Sequence, residues 1–181
     1  MLTNEQQTSL LRIARESITR ELDGSRLEID VDLFDEALRR PAGAFVTLKT
    51  RDRQLRGCIG SVLPVSPLCR TVAANAVNAA FRDPRFSPLR RDELSAVGLE
   101  ISVMGPVLPV RDLEEIVCGR DGLIVSRGSY AGLLLPQVAS ERGWDRETFL
   151  TFTCAKAGLD PDAWRSGVVK IDRFEAYVFG E

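Results

Sequence analysis

The sequence predicts an α+β fold, with a largely antiparallel or mixed sheet and flanking helices. Three observations predict it. Amphipathic stretches with clear caps read as helices. Short apolar segments come in pairs joined by tight turns, as hairpins do. Strict strand–helix–strand crossovers, which would force a parallel sheet, are missing.

Taken in order, Thr3 caps a helix over residues 4–23, and Gln6 completes its capping box. Leu10, Leu11, Ala14, Ile18 and Leu22 recur at helical spacing, and Gly24 ends the run. A short helix over 32–38 must finish before Pro41. Residues 44–49 alternate as a strand, 51–54 turn, and the stretch LRGCIGS over 55–61 returns antiparallel. Ser66 caps the next helix with Pro67 in its first turn, where a missing N–H costs nothing. Its apolar stripe is Leu68, Val72, Ala76, Val77, Ala80 and Phe81, and it finishes at Asp83, ahead of Pro84. A strand over 97–104 and a short helix over 113–117 follow. A second hairpin comes next, 122–126 and 130–135 around a turn at 127–129. A helical piece starts at Pro136, Asp145 caps a helix to about residue 157, and 168–179 is a last strand. The strand-pair-then-helix order of 43–82 recurs at 122–157, which suggests duplicated β/α units within 181 residues that suit one domain or two small lobes.

Composition excludes several chemistries. Hydrophobic residues make up 44% and charged residues 28%, ordinary for a globular chain. No apolar run is long enough to span a bilayer, and the polar N-terminus has no signal-peptide core, so a cytoplasmic protein without membrane attachment is expected. The histidine count is 0, which rules out a Ser-His-Asp or Cys-His arrangement and any imidazole-held metal or haem. Cys58, Cys69, Cys118 and Cys154 are scattered with no CxxC pair, so free thiols are expected and no metal or cofactor. No feature of the sequence sets an oligomeric state.

Charge is uneven. Residues 51–91 carry eight arginines (51, 53, 56, 70, 82, 85, 90, 91) against Asp52 and Asp83. Such a block either lines a site for a phosphate, a carboxylate or RNA, or pairs with acids from the flanking segments once folded.

Strand parity gives LRGCIGS a chemical side. Arg56, Cys58 and Gly60 share one face; Leu55, Gly57, Ile59 and Ser61 share the other, which is the natural core face. A guanidinium beside a thiol favours the thiolate, the usual activation of a nucleophilic cysteine. Gly60 leaves open space beside it, and Gly57 and Gly60 permit close approach by a ligand. On residue types alone, Cys58 fits a small buried hydrophobe in a bent strand better than a reactive thiol. Cys69, Cys118 and Cys154 sit in or beside apolar helical stretches and read as structural.

Three ordered segments then carry a resemblance: LRGCIGS at 55–61, AFRDPRFSPL at 80–89 and LLPQVASERGWD at 134–145. Together they resemble the AMMECR family, over about 45–178. The resemblance implies an α+β fold describable as a duplicated β/α unit, with no settled activity. It also implies association with Memo-type and radical-SAM proteins in a modification pathway that acts on RNA or another biomolecule. Arg56, Gly57, Cys58 and Gly60 map onto its first motif, Asp83 and Arg85 onto the second, and Gln137 and Glu141 onto the third. On that basis Cys58 is the expected nucleophile and Glu141 the expected base. Arg56 or Arg85 clamps an anion, and Gly57, Gly60, Asp83 and Gln137 complete a ligand site. The competing expectations are an RNA- or anion-binding module and an adaptor for those partners.

Overall fold

The computed structural model describes residues 2–181. They form two compact units, one of residues up to Met104 together with Tyr177–Glu181, the other Gly105–Ala176.

The first unit opens with α1 (Asn4–Leu22), where the Thr3 hydroxyl accepts the Gln6 N–H and the Gln6 side chain accepts the Thr3 N–H. The helix expected over 32–38 is instead a 3-10 turn, Val31–Leu33, followed by α2 (Glu36–Arg39). Asp30 and Asp35 each cap one of these pieces with a side-chain oxygen, and Phe34 is extended between them. Two caps five residues apart leave room for one turn each.

β1 (Ala44–Thr50) and β2 (Leu55–Ser61) form an antiparallel hairpin around a turn in which Arg53 takes a left-handed φ of 59°. α3 (Leu68–Phe81) follows. Ser66 and Pro67 do not start this helix in the way expected: Pro67 is extended and bridges Pro41, while Leu68 N–H donates to the Arg40 carbonyl. That long-range pairing holds the two residues out of helical geometry. The helix ends at Phe81, and its buried stripe is Leu68, Cys69, Val72, Ala73, Ala76, Ala79 and Ala80, so Val77 and Phe81 are only half-buried. An unforeseen 3-10 segment, Arg91–Ala96, leads into β3 (Val97–Met104), antiparallel to β1. One face of these strands presents Val46, Leu48, Leu99 and Ile101 to the core that α1 and α3 complete with Leu10, Ile13, Ile18, Leu68 and Val72.

The second unit begins with β4 (Leu108–Pro109), too short to signal itself in sequence. The short helix expected over 113–117 is a 3-10 turn of Leu113–Glu115, capped by Asp112, and Ile116 is already extended. β5 (Asp121–Arg127) and β6 (Tyr130–Leu134) pair through a two-residue turn at Gly128 and Ser129. α4 (Pro136–Arg142) stops at left-handed Gly143, and α5 (Arg146–Lys156) is capped by Asp145. After a further 3-10 turn at Ala163–Ser166 comes β7 (Lys170–Gly180), whose first residues pair with β4 and β5. The last residues of β7 belong to the first unit, where Glu181 N–H donates to the Leu99 carbonyl. Leu123, Val125, Phe149, Leu150, Cys154 and Trp164 form the core of the second unit. All strand pairs with defined register are antiparallel, so the fold is α+β. No helix among the described residues is long and apolar enough to cross a membrane.

Candidate functional site around Cys58

β2 closes one edge of the first unit's sheet, with only β1 beside it. Cys58 lies opposite Thr47, and the Thr47 hydroxyl donates to the Cys58 sulfur at 3.2 Å. The backbone N–H and C=O of Cys58 face away from β1, as both groups of alternate residues do in an antiparallel strand. Asp83 Oδ2 accepts that N–H at 2.9 Å, and Arg85 Nη2 donates to that carbonyl at 3.3 Å. Asp83 and Arg85 are themselves joined twice, at 2.9 and 2.7 Å, and Asp83 Oδ1 also accepts the Arg85 N–H. One acid and one base two residues apart therefore stand where a further strand would pair. This is an edge closed by side chains rather than by backbone.

The electrostatics follow from burial. Asp83 is only 4% exposed. The Arg85 guanidinium, helped by the N–H groups of Cys58 and Arg85, outweighs the cost of that burial and holds its carboxyl well below the usual carboxylate range. Asp83 first, and more weakly the Cys58 sulfur, in turn hold Arg85 in its cationic form. Arg85 stays exposed, with Nε and Nη2 engaged and Nη1 free. The Phe86 ring lies 5.5 Å from the Arg85 guanidinium carbon and 6.0 Å from that of Arg56, within cation–π range.

Two expectations about this strand are corrected. Arg56 does not give its charge to the thiol: it donates to both oxygens of Glu93, at 2.9 and 3.1 Å, and to the Ser87 carbonyl at 3.0 Å. The reason is local. The register slips between Leu48 and Lys49, leaving Arg56 with no residue opposite, and an extra residue of this kind re-aims its side chain. Gly60 leaves no open space beside Cys58. The Phe45 ring covers it, with Cγ 2.3 Å from where a Cβ would stand. Gly57 is likewise filled from within, because a Cβ there would lie 2.2 Å from the Ala79 carbonyl oxygen of α3. The close approach that these glycines permit is made by the protein's own atoms. Parity holds otherwise: Ile59 packs on the core, although Leu55 at the strand's start is exposed.

The structure thus brings Arg56, Gly57, Cys58, Gly60, Asp83 and Arg85 into one neighbourhood. Gln137 and Glu141 are in the second unit, one turn apart on α4; Glu141 is exposed, and Gln137 Oε1 is buried with no hydrogen-bond partner. Thr47, Phe45 and Glu93 were missed. Thr47 was recoverable, since the length of the 51–54 turn sets 47 opposite 58; nothing local announces Glu93. Among the other thiols, burial pushes Cys69, Cys118 and Cys154 up. Among the described residues no cluster of three or more His, Cys, Asp or Glu could hold a metal ion.

The AMMECR1 family model matches residues 11–179, a span that contains every residue of this neighbourhood. The chain belongs to the AMMECR1 family. Its similarity to other AMMECR1 proteins runs nearly end to end. It is 44% identical to protein NEQ441 of Nanoarchaeum equitans, over 96% of this chain and 99% of that one. It is 43% identical to protein MJ0810 of Methanocaldococcus jannaschii, over 100% of this chain and 92% of that one. Among solved structures it is similar to the uncharacterized protein PH0010 of Pyrococcus horikoshii. There the TM-score is 0.87 at 41% identity, covering 95% of this chain and 89% of that one.

Proposed function

We propose that this AMMECR1 protein is a covalent-transfer enzyme in which Cys58 is the nucleophile and Arg85 holds an anionic group of the substrate. One observation carries the reading. A half-exposed thiol sits on a strand whose N–H and C=O are both bound by a single Asp83–Arg85 unit, and that unit leaves Arg85 Nη1 free at the surface. The sulfur is thereby oriented without being buried, and a cation is fixed beside it for a carboxylate or phosphate.

The step is a displacement at carbon. The thiol proton leaves to solvent, the sulfur forms a bond to an electrophilic carbon, and the leaving group departs with its electron pair. Transfer of the carbon group to an acceptor then releases the sulfur. The Thr47 hydroxyl is placed to donate to the charge on that sulfur before it attacks and again as it is released. A phosphate-bearing substrate, nucleic acid included, meets the anion requirement. The reading places the protein in the cytoplasm, a reducing compartment where a free thiol persists.

The test uses two alkylating agents of one size, iodoacetate with its carboxylate and iodoacetamide without. Cys58 should favour iodoacetate more than a free thiol does, and Arg85→Ala or high salt should remove the excess. An unchanged ratio in Arg85→Ala contradicts the anion clamp.

RNA binding through the 51–91 block is the weaker reading. Arg56, Arg82, Arg85, Arg90 and Arg91 already sit in ion pairs with Glu93, Glu21, Asp83, Asp92 and Asp23. The adaptor reading, with Memo-like or radical-SAM partners, draws on the loop after β2, where Leu63 is 61% and Val65 81% exposed. A complex that survives Cys58→Ser but not Val65→Asp would favour it over catalysis.

A further inference from the structure

A groove of about 580 Å³ lies in the first unit between α1, α3 and the irregular segment 25–29, and Cys58 is not among its walls. That volume suits a small molecule. Its floor is apolar: Ala73, Ala74 and Val77 of α3 face Leu27 and Ile29. The polar groups among these walls are already committed. Ser17 donates to the Ile13 carbonyl, and Asn78 and Glu21 both hold Arg82.

Two cations stand apart from that balance. Neither Arg26 nor Arg70 forms an ion pair among the described residues, although each lines the groove. Arg70 makes one bond, from Nη2 to the Ile29 carbonyl at 3.3 Å, which ties the segment to α3 and leaves the rest of its fork free. With Arg82 and Glu21 neutralising each other, the remaining wall charges are Arg26 and Arg70 against Glu28 alone. The groove thus combines a net positive rim with an apolar floor.

We infer that this groove binds a small organic anion, a carboxylate or phosphate head joined to an apolar chain. The head takes the open guanidinium donors of Arg26 and Arg70, and the chain lies along Ala73, Ala74 and Val77. Arginine suits this role because its planar fork meets either head with two parallel hydrogen bonds. The site is independent of the chemistry at Cys58.

Octanoate and octyl phosphate serve as probes, with inorganic phosphate and octanol as head-only and tail-only controls, followed by amide chemical shifts in the full-length protein. Saturable binding of octanoate, octyl phosphate or both is expected, moving amides of 26–29 and 70–78, and the stronger arm identifies the preferred head. Both controls should bind more weakly. Ala74→Phe places a ring in the groove from an exposed position, so the fold should survive while binding is lost. Replacing Arg26 and Arg70 together by alanine should weaken binding about tenfold or more. Cys58→Ser should bind as wild type does, which separates failure here from failure at the thiol. The inference is overturned if neither probe moves those amides at millimolar concentration. It is also overturned if Ala74→Phe binds undiminished, or if inorganic phosphate binds as tightly as octyl phosphate.

Discussion

In β1–β2–α3, Gly57 is the third residue of the second strand and lies opposite Leu48; in β5–β6–α5, Gly132 is third and lies opposite Val125. A Cβ at Gly57 would meet the Ala79 carbonyl at 2.2 Å, and one at Gly132 would meet the Ala157 nitrogen at 2.3 Å. Each hairpin therefore uses a glycine to let helix backbone press onto the strand, that of α3 directly after β2 in the first and the C-terminal end of α5, one helix further along the chain, in the second. One residue further on, the two differ. The first hairpin pairs Thr47 with Cys58, and the second pairs Ile124 with Leu133. The packing device is common to both, whereas the polar partners belong to one. A buried aspartate paired with an exposed arginine occurs in both units, yet in the second Asp121 takes the Val117 N–H and Arg120, and so serves the turn ahead of β5. The glycines of LRGCIGS therefore report packing, and the polar contacts gather around the residue after the first of them.

The largest effect should come from the shared device. Gly57→Ala and Gly132→Ala each force backbone apart and should each cost about 3 kcal/mol in urea denaturation. A neutral Gly132→Ala would break the likeness between the two hairpins.

The buried acids come next. Asp83→Asn and Asp121→Asn should each cost about 2 kcal/mol at neutral pH, by weakening the bonds of a buried carboxylate to a backbone N–H and a guanidinium. For Asp121 burial opposes ionisation, but Arg120, the Val117 N–H and Arg173 outweigh it; for Asp83 the Arg85 pair dominates. Both carboxyls hold protons less readily folded than unfolded. Their contribution is therefore full above the unfolded value near pH ~4 and drains away as pH falls toward the lowered folded values. The gap between each variant and wild type should narrow in acid, and a gap independent of pH would contradict the assignment.

A smaller effect isolates the sulfur's own contact. Thr47→Val keeps the shape and removes one hydroxyl, so stability should change by about 1 kcal/mol or less while alkylation of Cys58 slows. An unaltered rate would mean that the hydroxyl only fills space.

How much was legible in the sequence follows from the range of each interaction. The capping box at Thr3 and Gln6 and the Asp145 cap are contacts over three residues, and both were readable. The β2 boundaries followed from local alternation and turn residues, and so did the face assignment of Cys58. What failed was non-local. Pro67 is extended because it bridges Pro41, Arg56 is claimed by Glu93, and the space at Gly60 is filled by Phe45 from the neighbouring strand. Parity assigns a side chain to a face but is blind to a slipped register and to whatever fills the space across it.

The central claim is that Cys58 is set up for reaction by its partners and not merely exposed. Leu133→Cys supplies the internal reference, since it puts a thiol at the matching place in the second hairpin without a counterpart to Thr47. Iodoacetamide labelling of that variant near neutral pH, read residue by residue by mass spectrometry, is the direct measurement. Cys58 should be modified about tenfold faster than the introduced thiol, and faster still than Cys69, Cys118 and Cys154. Equal, slow labelling at Cys58 and at the introduced thiol would contradict it.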